Sequence, residues 1–103
     1  MSVLRTIDLE TEMSQPPPAA VQLTYVTAPA CHYCDHGRDV LAEIAERVPL
    51  EVREVSLDSE EGRGLLAQHR FAFPPAVIVD GRLIAHGRLS ARRLARLLPL
   101  EVA

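Results

Sequence analysis

The sequence predicts an α/β domain with the element order β-α-β-α-β-β-α, a small mixed sheet and helices on both faces. Three observations lead there. A period-two run at residues 21–27 gives way to helical periodicity and then to a second strand-type run, the pattern of a βαβ unit. A second helical stretch follows it. The dipeptide Asp80-Gly81 then sits between two short apolar runs, which is the signal for a hairpin turn with positive φ at both central positions.

Length and composition bound this reading. The chain has 103 residues, enough for one small core. Apolar residues are 48% and charged residues 24%, an ordinary globular balance. The net charge of -3 gives no general pull toward nucleic acid or an anionic membrane, and neither is expected as a partner. Trp is absent and aromatics are only 4%, so aliphatic side chains must build the core. No run reaches the roughly 18 apolar residues of a membrane span. The first dozen residues carry Asp8, Glu10 and Glu12 and no apolar block, unlike a secretory signal, so the expected location is the cytoplasm. Two cysteines are too few for a disulfide-stapled scaffold.

Residues 1–20 read as an N-terminal tail and linker, and residues 21–103 as the domain. Val3, Arg5, Ile7 and Leu9 alternate with polar neighbours, a pattern for one short extra strand. Ser14-Gln15-Pro16-Pro17-Pro18 cannot be helix interior and reads as extended chain.

Val21-Gln22-Leu23-Thr24-Tyr25-Val26-Thr27 is the first strand. From Cys31 a helix is expected to run to about Val48, with Val40, Leu41, Ile44, Ala45 and Val48 as its buried stripe, and Pro49 ends it. Leu50, Val52, Val55 and Leu57 are the apolar members of a second strand. Asp58 or Ser59 opens a second helix. Glu60 and Glu61 fall in its first turn, where the helix dipole favours acid, and Leu65 and Leu66 are its expected core contacts. Residues 75–79 form a buried strand, and Arg82-Leu83-Ile84-Ala85 returns as its partner. Ser90 caps a last helix with Leu94, Leu97 and Leu98 as its apolar positions. The first two strands must be parallel, because a helix joins them, and the last two antiparallel.

The chemistry concentrates at Cys31 and Cys34. The first turn of a helix brings positions i and i+3 to one side, at a separation that suits a disulfide. Free N–H groups and the positive end of the helix dipole stabilise a thiolate at Cys31, so its pKa is expected below the free-thiol value of about 8.5. Cys34 lies one turn inside and is expected to be less exposed. This gives Cys31 the role of nucleophile and Cys34 that of resolving thiol. His32, when protonated, lowers the pKa of the thiolate beside it. Tyr33 offers an apolar body and a polar tip to a substrate. Phe73-Pro74-Pro75-Ala76 leads directly into the third strand, and a proline fits there only as a first residue. An X-Pro bond at Pro74 or Pro75 can also be cis.

Cys31-His32-Tyr33-Cys34 after a strand, Pro75 six residues before Gly81, and the Asp80-Gly81 hairpin resemble the thioredoxin superfamily. The glutaredoxin and glutaredoxin-like redoxin branch is nearest, with its Cys-Pro-Tyr-Cys motif and equally short chain. The resemblance covers residues 21–98. It implies a single thioredoxin-like domain and a thiol–disulfide oxidoreductase. Cys31 then matches the nucleophile, Cys34 the resolving cysteine, Pro75 the cis-proline and Tyr33 the family tyrosine. Three places differ from the glutaredoxin pattern. Ala28 stands where a Lys is usual, Ala85-His86-Gly87-Arg88 where a Gly-Gly-Cys-Asp type motif is usual, and Pro74 precedes the cis-proline position without an N–H to offer.

The expected chemistry requires no tightly bound cofactor, only an external low-molecular-weight thiol or a reductase as electron source. The expected partner is a disulfide-containing protein or a small thiol, and the expected state a monomer. Two other readings stand beside this one. The first is a non-catalytic thioredoxin-fold binding module. The second is a metal or iron–sulfur carrier, in which His32, His36, His69 or His86 or a second chain would complete the ligand set, since one cysteine pair falls short of four ligands. Arg88, Arg92, Arg93 and Arg96 read most simply as the solvated face of the last helix.

Overall fold

In the computed structural model, which describes residues 20–98, the first strand β1 covers Val21–Thr27 and lies at the centre of the sheet. Helix α1, His32–Ala45, carries the chain to β2, Leu50–Ser56, which pairs in parallel with β1 from Val21↔Leu50 to Thr27↔Ser56. Helix α2 is Glu60–His69. Strand β3, Ala76–Val79, pairs antiparallel with the other side of β1, and β4, Arg82–His86, closes the sheet in the order β2-β1-β3-β4. Helix α3 is Ala91–Leu97. The element order and the mixed sheet agree with the sequence reading. The expected linker at residues 14–18 and the extra strand at Val3, Arg5, Ile7 and Leu9 lie outside the described residues.

Strand alternation divides the core between two faces. Leu23, Tyr25, Val77 and Val79 pack with Val40, Leu41 and Ile44 of α1 and with Leu94 and Leu98 at α3. Val26, Ala76 and Ile78 turn the other way and pack with Phe71, Leu57 and Leu65. Helices therefore cover both faces. This is why all four residues of β3, and the consecutive Tyr25 and Val26 of β1, are buried. The Asp80-Gly81 turn has φ of 52° and 77°, as the dipeptide predicts. Val77 pairs with Ala85 but Ile78 with Leu83, so Ile84 is the extra residue of a bulge in β4.

Several expected core positions are corrected. Helix α1 ends at Ala45 rather than near Val48, with Glu46 as its C-cap. Pro49 disfavours helical geometry at the residue before it, and the N–H groups of Arg47 and Val48 both bond to the Ile44 carbonyl. Ala45 is thereby exposed, while Val48 still packs against the core from the side. Val52 is exposed because β2 is an edge strand, and only Val55 of β2 is fully buried. Leu66 and Leu97 face outward, while Leu65 makes its expected core contact and Phe71 joins it on the α2 face. The hydroxyls of Ser59 and Ser90 accept from Gly62 N and Arg93 N, so both expected caps are in place.

Candidate active site

One end of the sheet collects the residues that carry chemistry. Strand β1 ends there at Thr27, β2 ends beside it at Ser56, and the N–H of Leu57 bonds to the Thr27 carbonyl at 2.7 Å. Strand β3 runs the opposite way and starts there, with Ala76 facing Val26. Pro75 therefore sits one residue beyond that pair, at the end where β1 feeds the loop to Cys31. Strand β4 ends there too, because His86 pairs with Ala76. The carboxyl ends of parallel strands are where open α/β sheets place their sites.

Ala28, Pro29 and Ala30 turn the chain from β1 into α1, and Ala30 takes a φ of 53°. Cys31 is the N-cap of α1, with extended backbone. Its Sγ accepts from the Cys34 N–H at 3.1 Å, and its carbonyl accepts from the Asp35 N–H at 3.1 Å. The cap position thus aims the sulfur at the unpaired N–H groups of the first turn. Cys31 and Cys34 form a disulfide with a Cα–Cα distance of 5.1 Å. The two sulfurs differ in access. Cys31 is half-buried, whereas Cys34 is 1% exposed. His32 is exposed, and Tyr33 is 53% exposed despite its size.

The Pro74–Pro75 peptide bond is cis. Pro75 is fully buried and Pro74 half-buried, and Phe73 just before them is 69% exposed. Four aromatic residues are present in the chain. Tyr25 and Phe71 are buried in the core, and Tyr33 and Phe73 are left exposed beside the cysteines and the prolines.

Behind the disulfide lies a set of contacts that strand and helix periodicity did not single out. The hydroxyl of Tyr25 donates to the Cys34 carbonyl at 2.9 Å, from a side chain with no exposed surface. Burial holds its phenol well above the ordinary value of 10, with Arg38 opposing and Glu54 and Asp35 reinforcing. Arg38 bonds to Asp35 at 2.6 Å and to both carboxylate oxygens of Glu54, at 3.0 and 2.7 Å. Thr27, buried at the end of β1, donates to Glu54 at 3.0 Å. The hydrogen bonds from Arg38 are the main reason the Glu54 carboxyl lies below its ordinary range. The only sequence signal for this set was a Tyr and a Thr on a strand that a covering helix would bury.

Of the four histidines, His32, His36 and His86 fall at this end. Nε2 of His36 lies 3.2 Å from the Leu89 carbonyl, tying α1 to the loop before α3. His69 lies in the last turn of α2. Among the described residues, no group of three or more His, Cys, Asp or Glu is placed to hold a metal ion. No helix among them is long and apolar enough to cross a membrane.

No protein-family model matches the chain, and no curated protein matches it. Among solved structures, one described as the structure of a malarial protein is similar, with a TM-score of 0.57 and 18% identity. The match covers 76% of this chain and 92% of that one, and at this identity it shows the fold alone.

Proposed function

We propose that the chain is a thiol–disulfide oxidoreductase of the thioredoxin superfamily, nearest to its glutaredoxin-like branch. One observation carries the reading. A half-exposed cysteine caps a helix, and its buried partner one turn inside is close enough to bond to it. That asymmetry divides the work of disulfide exchange between the two thiols.

In the reduced form, the Cys31 thiolate attacks one sulfur of a substrate disulfide. A Cys31–substrate bond forms, the substrate S–S bond breaks, and the released substrate thiolate takes a proton from water. Cys34 then loses its proton and attacks Cys31. The second substrate thiolate leaves and is protonated, so the substrate gains two electrons and the Cys31–Cys34 disulfide is formed. An external thiol or a reductase returns the pair to the dithiol, and no tightly bound cofactor takes part.

The N–H groups of the first turn stabilise the Cys31 thiolate, and a protonated His32 adds positive charge beside it. Tyr33 and Phe73 are exposed apolar surface that a substrate can contact, and the cis Pro74–Pro75 bond leads into β3 at the end of the sheet where β1 feeds the loop to Cys31. Pro74 has no N–H, so a substrate backbone can use only its carbonyl. The expected substrate is a disulfide-bearing protein or a small thiol, and the expected location is the cytoplasm.

The test uses two variants. Cys34→Ser should accumulate a mixed disulfide with a peptide disulfide, seen as an added mass that dithiothreitol removes. Cys31→Ser should show no disulfide reduction. An undiminished reduction rate in Cys31→Ser would overturn this mechanism.

A further inference from the structure

The charges are segregated across the end of the sheet that carries Cys31. Residues 81–98 contain five arginines and no Asp or Glu. Arg82 pairs with Val79 at the far end of the sheet and Arg92 and Arg96 lie against the C-terminal half of α1, which leaves Arg88, two residues past His86, and Arg93. None of the five forms an ion pair among the described residues. On the opposite flank Arg38 and Arg53 are both paired to carboxylates. There, Asp58 and Glu60 lie exposed where β2 hands over to α2. In the strand order β2-β1-β3-β4, the strands that lead to Cys31 and follow Pro75 are the central pair. The β2 side therefore has a net acidic shoulder, Asp58 and Glu60 against one arginine, Arg63, whose guanidinium donates to the Asp58 carbonyl at 2.6 Å, and the β4 side has a basic shoulder with no acid beside Arg88.

Arg88 is held by backbone contacts on both sides. The backbone on one side of it is tied to Pro75, since Gly87 N–H donates to the Pro75 carbonyl at 2.8 Å. The backbone on its other side is tied to α1, through Leu89 and His36. Arg88 and Arg93 line one cleft of about 340 Å³ with His86, Ser90 and Leu97, and Leu97 is 45% exposed. The pinned loop sets Arg88, and α3 sets Arg93 and Leu97, along one rim beside the end of β4.

We propose that this rim selects the substrate: Arg88 and Arg93 dock the carboxylates of a peptide disulfide whose cysteine is flanked by acidic residues. The inference rests on the redox reading above and names its substrate class. The acidic shoulder argues for a peptide with charge on one side only. A uniformly anionic polymer laid across the site would meet Asp58 and Glu60 as it reached the far flank. At physiological salt the Debye length is about 8 Å, so charges at the rim act on a docked peptide while those farther along α3 are screened. The sulfur chemistry is that already described, with two electrons passing from the Cys31–Cys34 dithiol to the peptide disulfide.

The experiment compares two synthetic peptides of equal length, each with one internal disulfide, flanked by Glu in one and by Lys in the other. Reduction by the full chain, prepared as the dithiol, is timed at low and high salt. Each rate is divided by that of dithiothreitol with the same peptide, which removes intrinsic differences in disulfide reactivity. The Glu peptide should react about tenfold faster or more at low salt, and the gap should shrink as salt rises. Arg88→Gln should narrow the gap, and Arg88→Glu with Arg93→Glu should reverse it. Both side chains are exposed, so folding should survive, and far-ultraviolet circular dichroism checks this. Equal normalised rates for the two peptides, or a preference for Lys, would overturn this inference alone. Failure to reduce either peptide would overturn the redox reading and this inference with it.

Discussion

The hydroxyl of Tyr25 donates a hydrogen bond to the backbone carbonyl of Cys34 across 2.9 Å, from a side chain completely removed from solvent. The contact joins the central strand to the first turn of α1, directly beneath the disulfide. It also fixes the neighbouring sequence. A Cβ at Gly37 would overlap the Tyr25 hydroxyl, so the absence of a side chain there is what lets the helix lie this close to β1. The disulfide therefore stands on a helix turn whose height above the sheet is set by one phenol and one glycine.

Tyr25→Phe should destabilise the oxidised domain by about 1 kcal/mol, the typical net worth of one intramolecular hydrogen bond. Urea unfolding at neutral pH measures it. The aromatic ring is kept, so a loss of several kcal/mol would mean that the hydroxyl holds more than this carbonyl. No loss would mean that the contact is energetically idle.

The same residue predicts an alkaline limit. Burial raises the Tyr25 phenol above its ordinary value, while the phenol of the unfolded chain titrates near 10. Above about pH 10 the unfolded state has lost this proton and the folded state still holds it. The stabilisation is thus complete below the unfolded value and is lost as pH rises from there toward the folded one, at about 1.4 kcal/mol per pH unit for one proton. Unfolding midpoints followed upward from about pH 9 should fall more steeply in the native chain than in Tyr25→Phe. Parallel curves would contradict this assignment.

Gly37→Ala sets two effects against each other. Alanine is favoured over glycine in a helix interior by about 1 kcal/mol. Against it, the new methyl would strike the Tyr25 hydroxyl and press on Tyr25 Cζ at 3.0 Å and Leu89 Cδ1 at 3.1 Å. Overpacking of this kind costs about 1–3 kcal/mol, and a fully buried tyrosine has no room to retreat, so a net loss is expected. The penalty should be smaller in a Tyr25→Phe background, which a double-mutant cycle reads as coupling. A Gly37→Ala protein as stable as the native one would show that α1 can shift away from the sheet.

The element order, the Asp80-Gly81 hairpin, the two serine caps and the cysteine pair were legible in the sequence because each depends on residues close together in the chain. Periodicity gives the apolar face of an element but not how much of it a neighbour covers, and Val52, Leu66 and Leu97 are apolar positions that stay exposed. Strand β2 turned out to be an edge, and the start of α2 approaches the sheet through Gly62, where a Cβ would overlap the Ser56 carbonyl. The tie between Tyr25 and Cys34, the link from His36 to Leu89 and the Arg38–Glu54 pair join residues 9, 53 and 16 positions apart. Such contacts follow only from the packing of the helices on the sheet, and local patterns do not encode them.

Glu54 gives the acid counterpart of the Tyr25 prediction. Its carboxyl is held below its ordinary range, chiefly by the hydrogen bonds from Arg38, with burial opposing and Thr27 assisting. A lowered carboxyl contributes stability that is present above the unfolded value, near 4.3, and is lost as pH falls through the folded one. The side chains of Arg38 and Glu54 are 43% and 42% exposed, so water and salt screen the pair and its worth should stay below about 1 kcal/mol. Glu54→Gln should therefore cost little at neutral pH and should flatten the fall in stability between about pH 5 and 3. The amide oxygen can still accept from Thr27, so the buried hydroxyl keeps its partner and the charge is what the substitution removes. Raising the salt concentration should shrink the difference between the two proteins at neutral pH. If their acid limbs superimpose, Glu54 titrates alike in the folded and unfolded chains and the Arg38 bridge has no energetic role.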